Sequence, residues 1–236
     1  IMHNQDRLSP RNIATSLRAS LKATFSPATA GLLQEAVKPD PNFGIIASIL
    51  KLDPALATAI LSLVNSPYYG QTSKISDLQR AAIILGDNEI LRIALSLSLQ
   101  KNLNTILEKN GFDTFANWRV IIWAALGAEL IARRLAPEEA ETAYLCALVK
   151  DLSLLLYAAT FPEYLLPRLK QPDFVNTGPS FMSWQDHIPE DHSALTAELL
   201  TQWNFPEPKI AAITAHHDLE HVVDHPPLPQ AVSRGP

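Results

Sequence analysis

The sequence has one cysteine, Cys146, in 236 residues. A single thiol cannot build an internal disulfide framework, so the chain must fold by burial alone, and it suits a reducing compartment. Positive charge is scarce too. Nineteen Lys and Arg face 24 Asp and Glu, which leaves a net charge of −5, and no basic run stands out against it. That sign disfavours phosphate backbones and anionic lipid, so neither nucleic acid nor a membrane surface is an expected partner. Long charge-free apolar runs are missing. The longest charge-free stretch, 54–73, is apolar only from Ala55 to Val64, which is too short to cross a bilayer. The first residues are polar and do not resemble a secretory signal. A soluble cytoplasmic protein is the expectation. With only 8 glycines, the sequence has no glycine-rich phosphate loop, and it shows neither a Ser-His-Asp order nor a zinc-type Cys/His spacing.

What is present is a helical pattern with enough apolar material for a core. Hydrophobic residues make up 47% and charged residues 18%, the balance of a globular chain with one large or two small domains. Apolar residues recur at helical spacing: Ile13, Leu17, Leu21; then Leu32, Leu33, Val37; then Ile45, Ile46, Ile49, Leu50. Asp53-Pro54 is a cap followed by a first-turn proline, and Pro67 stops the helix that it opens. Ser76 to Gln79 reads as a capping box, opening a helix that ends at Gly86, and Asp87 caps the next. Further helices are expected from about Thr114 to Leu135, from Glu190-Asp191 to near Asn204, and from Glu207 to about His217. A short helix is expected at 161–169, a surface loop at 171–189, and a proline-rich tail at the end. No strand pattern or repeat is visible. The fold class is all-α.

The stretch Glu139–Thr160 reads as one long helix, apolar on nearly every side and therefore enclosed by others. Lys150 and Asp151 interrupt it. At 100° per residue Asp151 projects with Tyr144, Ala147, Leu148, Leu154 and Leu155, so its carboxylate needs a partner.

Several short stretches, taken in order, carry a resemblance. Asp53–Leu56 (DPAL), Asn65–Gly70 (NSPYYG), Lys74–Ser76 (KIS) and Ala82–Gly86 are followed by Trp118 opening a helix. Ala143–Asp151 comes next, and then DHSALTAELLTQWNFPEPKIAAITAHHD. Together these resemble the HDOD family, the HD-related output domain of bacterial signalling proteins, over roughly Leu21 to Leu219. The resemblance implies an N-terminal helical lobe (21–110) packed on an HD-like helical bundle (111–222), after a tail and first helix (1–20) and before the final tail (223–236). HDOD domains are similar in fold to the HD metal-dependent phosphohydrolases, whose divalent metal is held by a His on one helix, an adjacent His-Asp pair, and a later ligand. Here Val120 and Lys150 fall at the expected His positions. Lysine is a cation at neutral pH and repels a metal.

The resemblance together with the missing ligands implies a non-catalytic regulatory module that binds a signalling partner or a small ligand, with no cofactor. A residual or altered phosphohydrolase, and a nucleotide pocket without hydrolysis, are the alternatives. The candidates for a vestigial pocket are Lys150, Asp151, His192, His216 and His217. Asp151 either holds helices in register through a nearby His or anchors a residual divalent metal with His192 and one of His216 or His217. These last two are adjacent on an expected helix, so only one of them should face a given point. Lys150 either fills the metal position or reaches solvent. Tyr68 and Tyr69 either bind a partner or pack over the core. Trp118, Trp123, Trp184 and Trp203 are expected in the core or anchoring loops.

Overall fold

The computed structural model describes residues 10–110, 112, 114–163 and 191–217, and among these there is no strand. Eleven helices follow in order: α1 Pro10–Thr24, α2 Pro27–Ala36, α3 Phe43–Lys51, α4 Pro54–Val64, α5 Leu78–Leu85, α6 Asp87–Lys109, α7 Thr114–Leu135, α8 Ala140–Val149, α9 Leu152–Thr160, α10 His192–Thr201 and α11 Glu207–Thr214. The expected features at 161–169 and 171–189, Trp184, Asp218, and the tail with His221 and His225 lie wholly or largely outside the described residues. The chain divides into two compact units. One is Phe25–Asn102; the other joins the segment ending at Thr24 to the segment beginning at Leu103, so α1 belongs with the later helices.

In the Phe25–Asn102 unit the helix starts are fixed by side chains that accept from the orphan N–H groups of the first turn. Ser26 accepts from Thr29, Asn42 from Ile45, Asp53 from Leu56, and Asp77 from Arg80. Asp77 rather than Ser76 is the cap of α5. Leu32, Leu33, Ile46, Leu50, Ile60 and Val64 supply its core. Gly86 ends α5 at φ +86°, ψ 156°, a conformation open to glycine alone. Glu35 is buried in this unit. It accepts from the Asn42 N–H at 2.6 Å and pairs with Lys38 Nζ at 2.5 Å. Burial alone would raise its carboxyl, but these contacts outweigh burial and lower it. A carboxyl lowered on folding stabilises above its unfolded value and loses that contribution as pH falls through its folded value. Glu35→Gln should therefore cost about 2 kcal/mol at pH 7. The gap to the parent protein should narrow at pH 3, as read by denaturant unfolding at the two pH values.

In the other unit α7 and α8 pack along their lengths. The contact is built from small residues, Ala124, Ala125, Ala128 and Ala132 on α7 and Ala140, Ala143 and Ala147 on α8, all buried. Trp118 is buried on α7 and donates from Nε1 to Asn104 Oδ1 at 2.7 Å. Thr160 Oγ1 bonds Ser20 Oγ at 2.9 Å, and Arg18 pairs with Glu198, which ties α1 to α9 and α10. Two stretches, Thr114–Leu135 and Pro137–Thr160, have the length and apolar content of a bilayer span. Both carry charged residues, so neither stands out as a charge-free run in the sequence. In the second, 78% of the most apolar window is buried inside the protein, so neighbouring helices already cover it.

The expected single helix 139–160 is broken. A 3₁₀ turn at Pro137–Glu139 leads into α8, α8 ends at Val149, and Lys150 and Asp151 separate it from α9. The cause is a polar insertion from α10. The Ser153 N–H donates to Thr196 Oγ1 at 3.2 Å, Thr196 Oγ1 donates to Ser153 Oγ at 2.9 Å, and Ser153 Oγ donates to the His192 carbonyl at 2.8 Å. A backbone N–H spent on a side chain is lost to the helical ladder, which is interrupted there.

Candidate functional site

The break in the middle helix places Asp151 among four basic side chains. Its Oδ2 meets Lys150 Nζ at 2.5 Å, and its Oδ1 faces His192 Nε2 at 3.4 Å and His216 Nε2 at 3.5 Å. His217 completes the group, its Nε2 lying 3.0 Å from His192 Nε2. His192 is the first residue of α10, set by Asp191, whose side chain accepts from the Ser193 and Ala194 N–H groups. His216 and His217 lie in the turn after α11, which stops at Thr214. Being past the helix end, they escape the 100° separation expected of helical neighbours, and their ring centroids stand 4.0 Å apart. Both therefore join the cluster, against the expectation that only one would.

Electrostatics favour a charged acid here. Burial alone would raise the Asp151 carboxyl. The Lys150 ammonium and the His192 and His216 imidazoles outweigh burial and hold it well below the usual carboxylate range. His217 is pushed down to about 4, chiefly by burial and then by the neighbouring imidazoles and Lys150. Of the two readings of Lys150, the structure shows the inward one: the ammonium turns to Asp151, and its side chain is only 16% exposed. Cys146 is buried on α8 with its thiol pushed up to about 12 by burial, so it is an inert core residue.

The sequence profile of the HDOD domain matches residues 23–219, most of the chain. The chain belongs to the HDOD domain family. An uncharacterized protein of Treponema pallidum is 26% identical over 226 residues, covering 90% of this chain. The chain spans 43% of that curated relative's length. Solved structures share the fold. An HDOD domain protein of unknown function from Geobacter sulfurreducens matches with a TM-score of 0.70 at 18% identity, over 95% of this chain and 76% of that one. A Marinobacter aquaeolei protein provisionally named for signal transduction matches with a TM-score of 0.68 at 18% identity, over 98% of this chain and 54% of the other.

Two placements in this HDOD domain differ from the sequence reading. Val120 is 41% exposed, off the face of α7 that packs inward. The inward positions in that region are Asn117, Trp118, Ile121 and Ala124, and none of α7's buried residues is a histidine. The missing-imidazole argument therefore belongs to those positions, not to Val120. Trp123 is 64% exposed rather than in the core, and Phe115, Leu126 and Leu130 are exposed on the same side of α7. The sequence carried a signal for this stripe, since these residues share one helical face opposite Ile121, Ala125 and Ala128. Trp203 is buried as expected.

Tyr68 and Tyr69 belong to the Phe25–Asn102 unit, on a 3₁₀ turn closed by Gly70 at φ +58°. Their rings meet edge to face with centroids 4.9 Å apart. Tyr68 is 87% exposed, so it does not pack over the core. Tyr69 is half-buried, and burial raises its phenol.

Proposed function

We propose that this HDOD domain is a non-catalytic output module of a signalling protein, acting by binding a protein partner. The observation that carries the reading is the Lys150–Asp151 ion pair. One oxygen of the acid that would bind a catalytic metal is already neutralised by an ammonium, and no histidine on the described inner face of α7 supplies the missing ligand. The HDOD match and the provisional signalling name of the Marinobacter relative point the same way. The alternative of a nucleotide pocket would call for a cation to meet phosphate, and the nearest ammonium, Lys150, is engaged with Asp151.

Tyr68 is the residue we assign to partner contact. A tyrosine left 87% exposed on a turn has little to do in folding and is the type of side chain that interfaces favour. Its partner can be a separate protein or another segment of a longer polypeptide, given that the Treponema relative is more than twice the matched length. Tyr68→Ser should leave the melting temperature unchanged within about 1 °C, as surface substitutions do. It should also weaken recovery of a stoichiometric partner from the source cell, measured by quantitative cross-linking. Partner recovery equal to that of the parent protein would remove Tyr68 from the interface.

A further inference from the structure

The imidazoles beside Asp151 include a buried ring nitrogen, His216 Nε2, with no hydrogen bond formed. His216 is 4% exposed, and its Nδ1 lies 2.5 Å from the Ile213 carbonyl, which can only accept. The hydrogen is therefore on Nδ1. Nε2 then stands 3.5 Å from the charged Oδ1 of Asp151 with no hydrogen bond formed, either as an N–H of the imidazolium, which steadies the acid as described above, or as a lone pair in the neutral ring. Two acceptors facing each other in a buried place repel unless something positive lies between them. His192 Nε2 and His217 Nε2, 3.0 Å apart, add two more donor atoms, and one atom from each of the four residues lies within 4.8 Å of all the others.

We propose that Asp151 Oδ1 and the Nε2 atoms of His192, His216 and His217 together hold one divalent ion of the zinc type. Ligands about 2.0–2.1 Å from a tetrahedral ion stand about 3.3 Å from one another. The contacts of 3.4, 3.5 and 3.0 Å already have that spacing, so a small closure of the remaining pairs completes the tetrahedron. The hydrogen bond from His216 Nδ1 to the Ile213 carbonyl is the outer contact that metal-binding histidines use to fix ring and tautomer. Three imidazoles and one carboxylate select a borderline transition metal over magnesium or calcium. With four protein ligands no position is left for water, so the ion would be structural. It would link the helix break, the start of α10 and the turn after α11. Lys150 stays on the other oxygen, Oδ2, and its charge moderates the affinity. This site uses none of the positions 117–124 or 150, and it does not rest on the signalling reading above.

The test uses the whole chain stripped by a chelator and titrated with zinc, and in parallel with cobalt(II), whose visible absorption reports coordination. The expected result is one zinc per chain, a melting temperature that rises with free zinc, and the intense cobalt spectrum of a four-coordinate site. His216→Gln and His217→Gln should each weaken zinc binding at least tenfold. Because His217 is the most exposed of the four residues, His217→Gln should do so while still folding as the parent does, and it decides the matter if His216→Gln does not fold. Failure to take up zinc, uptake equal to the parent in His217→Gln, or the weak cobalt spectrum of a six-coordinate site would each overturn the proposal.

Discussion

Asp151→Ala should lower the melting temperature of the metal-free protein by about 10 °C, since removing one partner of a buried ion pair costs about 3–5 kcal/mol and a chain of this size loses about 2–4 °C per kcal/mol. The size follows from what is left behind. Lys150, with a side chain 16% exposed, loses the acid it pairs with, and His192 and His216 lose the carboxylate oxygen that faces their Nε2 atoms. A cavity adds little, because Asp151 is small and its side chain is 13% exposed. The origin of the loss can be separated from simple truncation by adding Lys150→Met. With the stranded ammonium gone, the double variant should be more stable than Asp151→Ala alone, an interaction that only residues in contact show. A melting temperature of Asp151→Ala equal to that of the parent would mean that the acid has no structural partner.

Asn65→Ala should cost the Phe25–Asn102 unit about 3 kcal/mol, because it orphans two backbone groups of Ile75 at roughly 1–3 kcal/mol each. Asn65 Nδ2 donates to the carbonyls of Leu61 at 2.7 Å and Ile75 at 2.8 Å, and its Oδ1 accepts from the Ile75 N–H at 2.7 Å. One side chain thus closes the loop 66–75 onto the end of α4, and Ile75 is 1% exposed, so water cannot replace the lost bonds. Asn65→Asp should be nearly as harmful, since a carboxylate accepts where two donors are needed. Denaturant unfolding checks both, with Tyr68→Ser in the same loop as the neutral control. A loss under 1 kcal/mol for Asn65→Ala would show that the loop is held by other contacts.

Most helix positions were legible because their signals are local. A cap followed by proline at Asp53-Pro54 needs no tertiary information, and α7 runs over the expected Thr114–Leu135. The segment Asn65–Gly70 was recognisable as a family feature, yet its reason emerges only in three dimensions. Asn65 staples the turn, Gly70 supplies its left-handed residue, and the tyrosines are what the turn displays.

The site was legible in its residues and not in its geometry. Asp151 stands out as an acid in apolar company, but helical periodicity aims it along a continuous helix, and Ser153 with Thr196 breaks that helix from 43 residues away. His216 and His217 were read as helical neighbours because no glycine or proline announces the end of α11 at Thr214. Val120 follows from setting the chain against the HD pattern, and such a match slips by a residue or more without a contact to fix it. Each miss is a place where packing between distant segments overrode a local pattern.

The reading proposed above is that this HDOD domain has no phosphohydrolase turnover of its own. The direct measurement is hydrolysis of a general aryl phosphodiester and of cyclic dinucleotides by the purified chain, supplied in turn with manganese, iron, zinc and magnesium, beside Asp151→Asn. The account predicts no turnover above that of Asp151→Asn with any ion. Metal-dependent turnover that Asp151→Asn abolishes would contradict it.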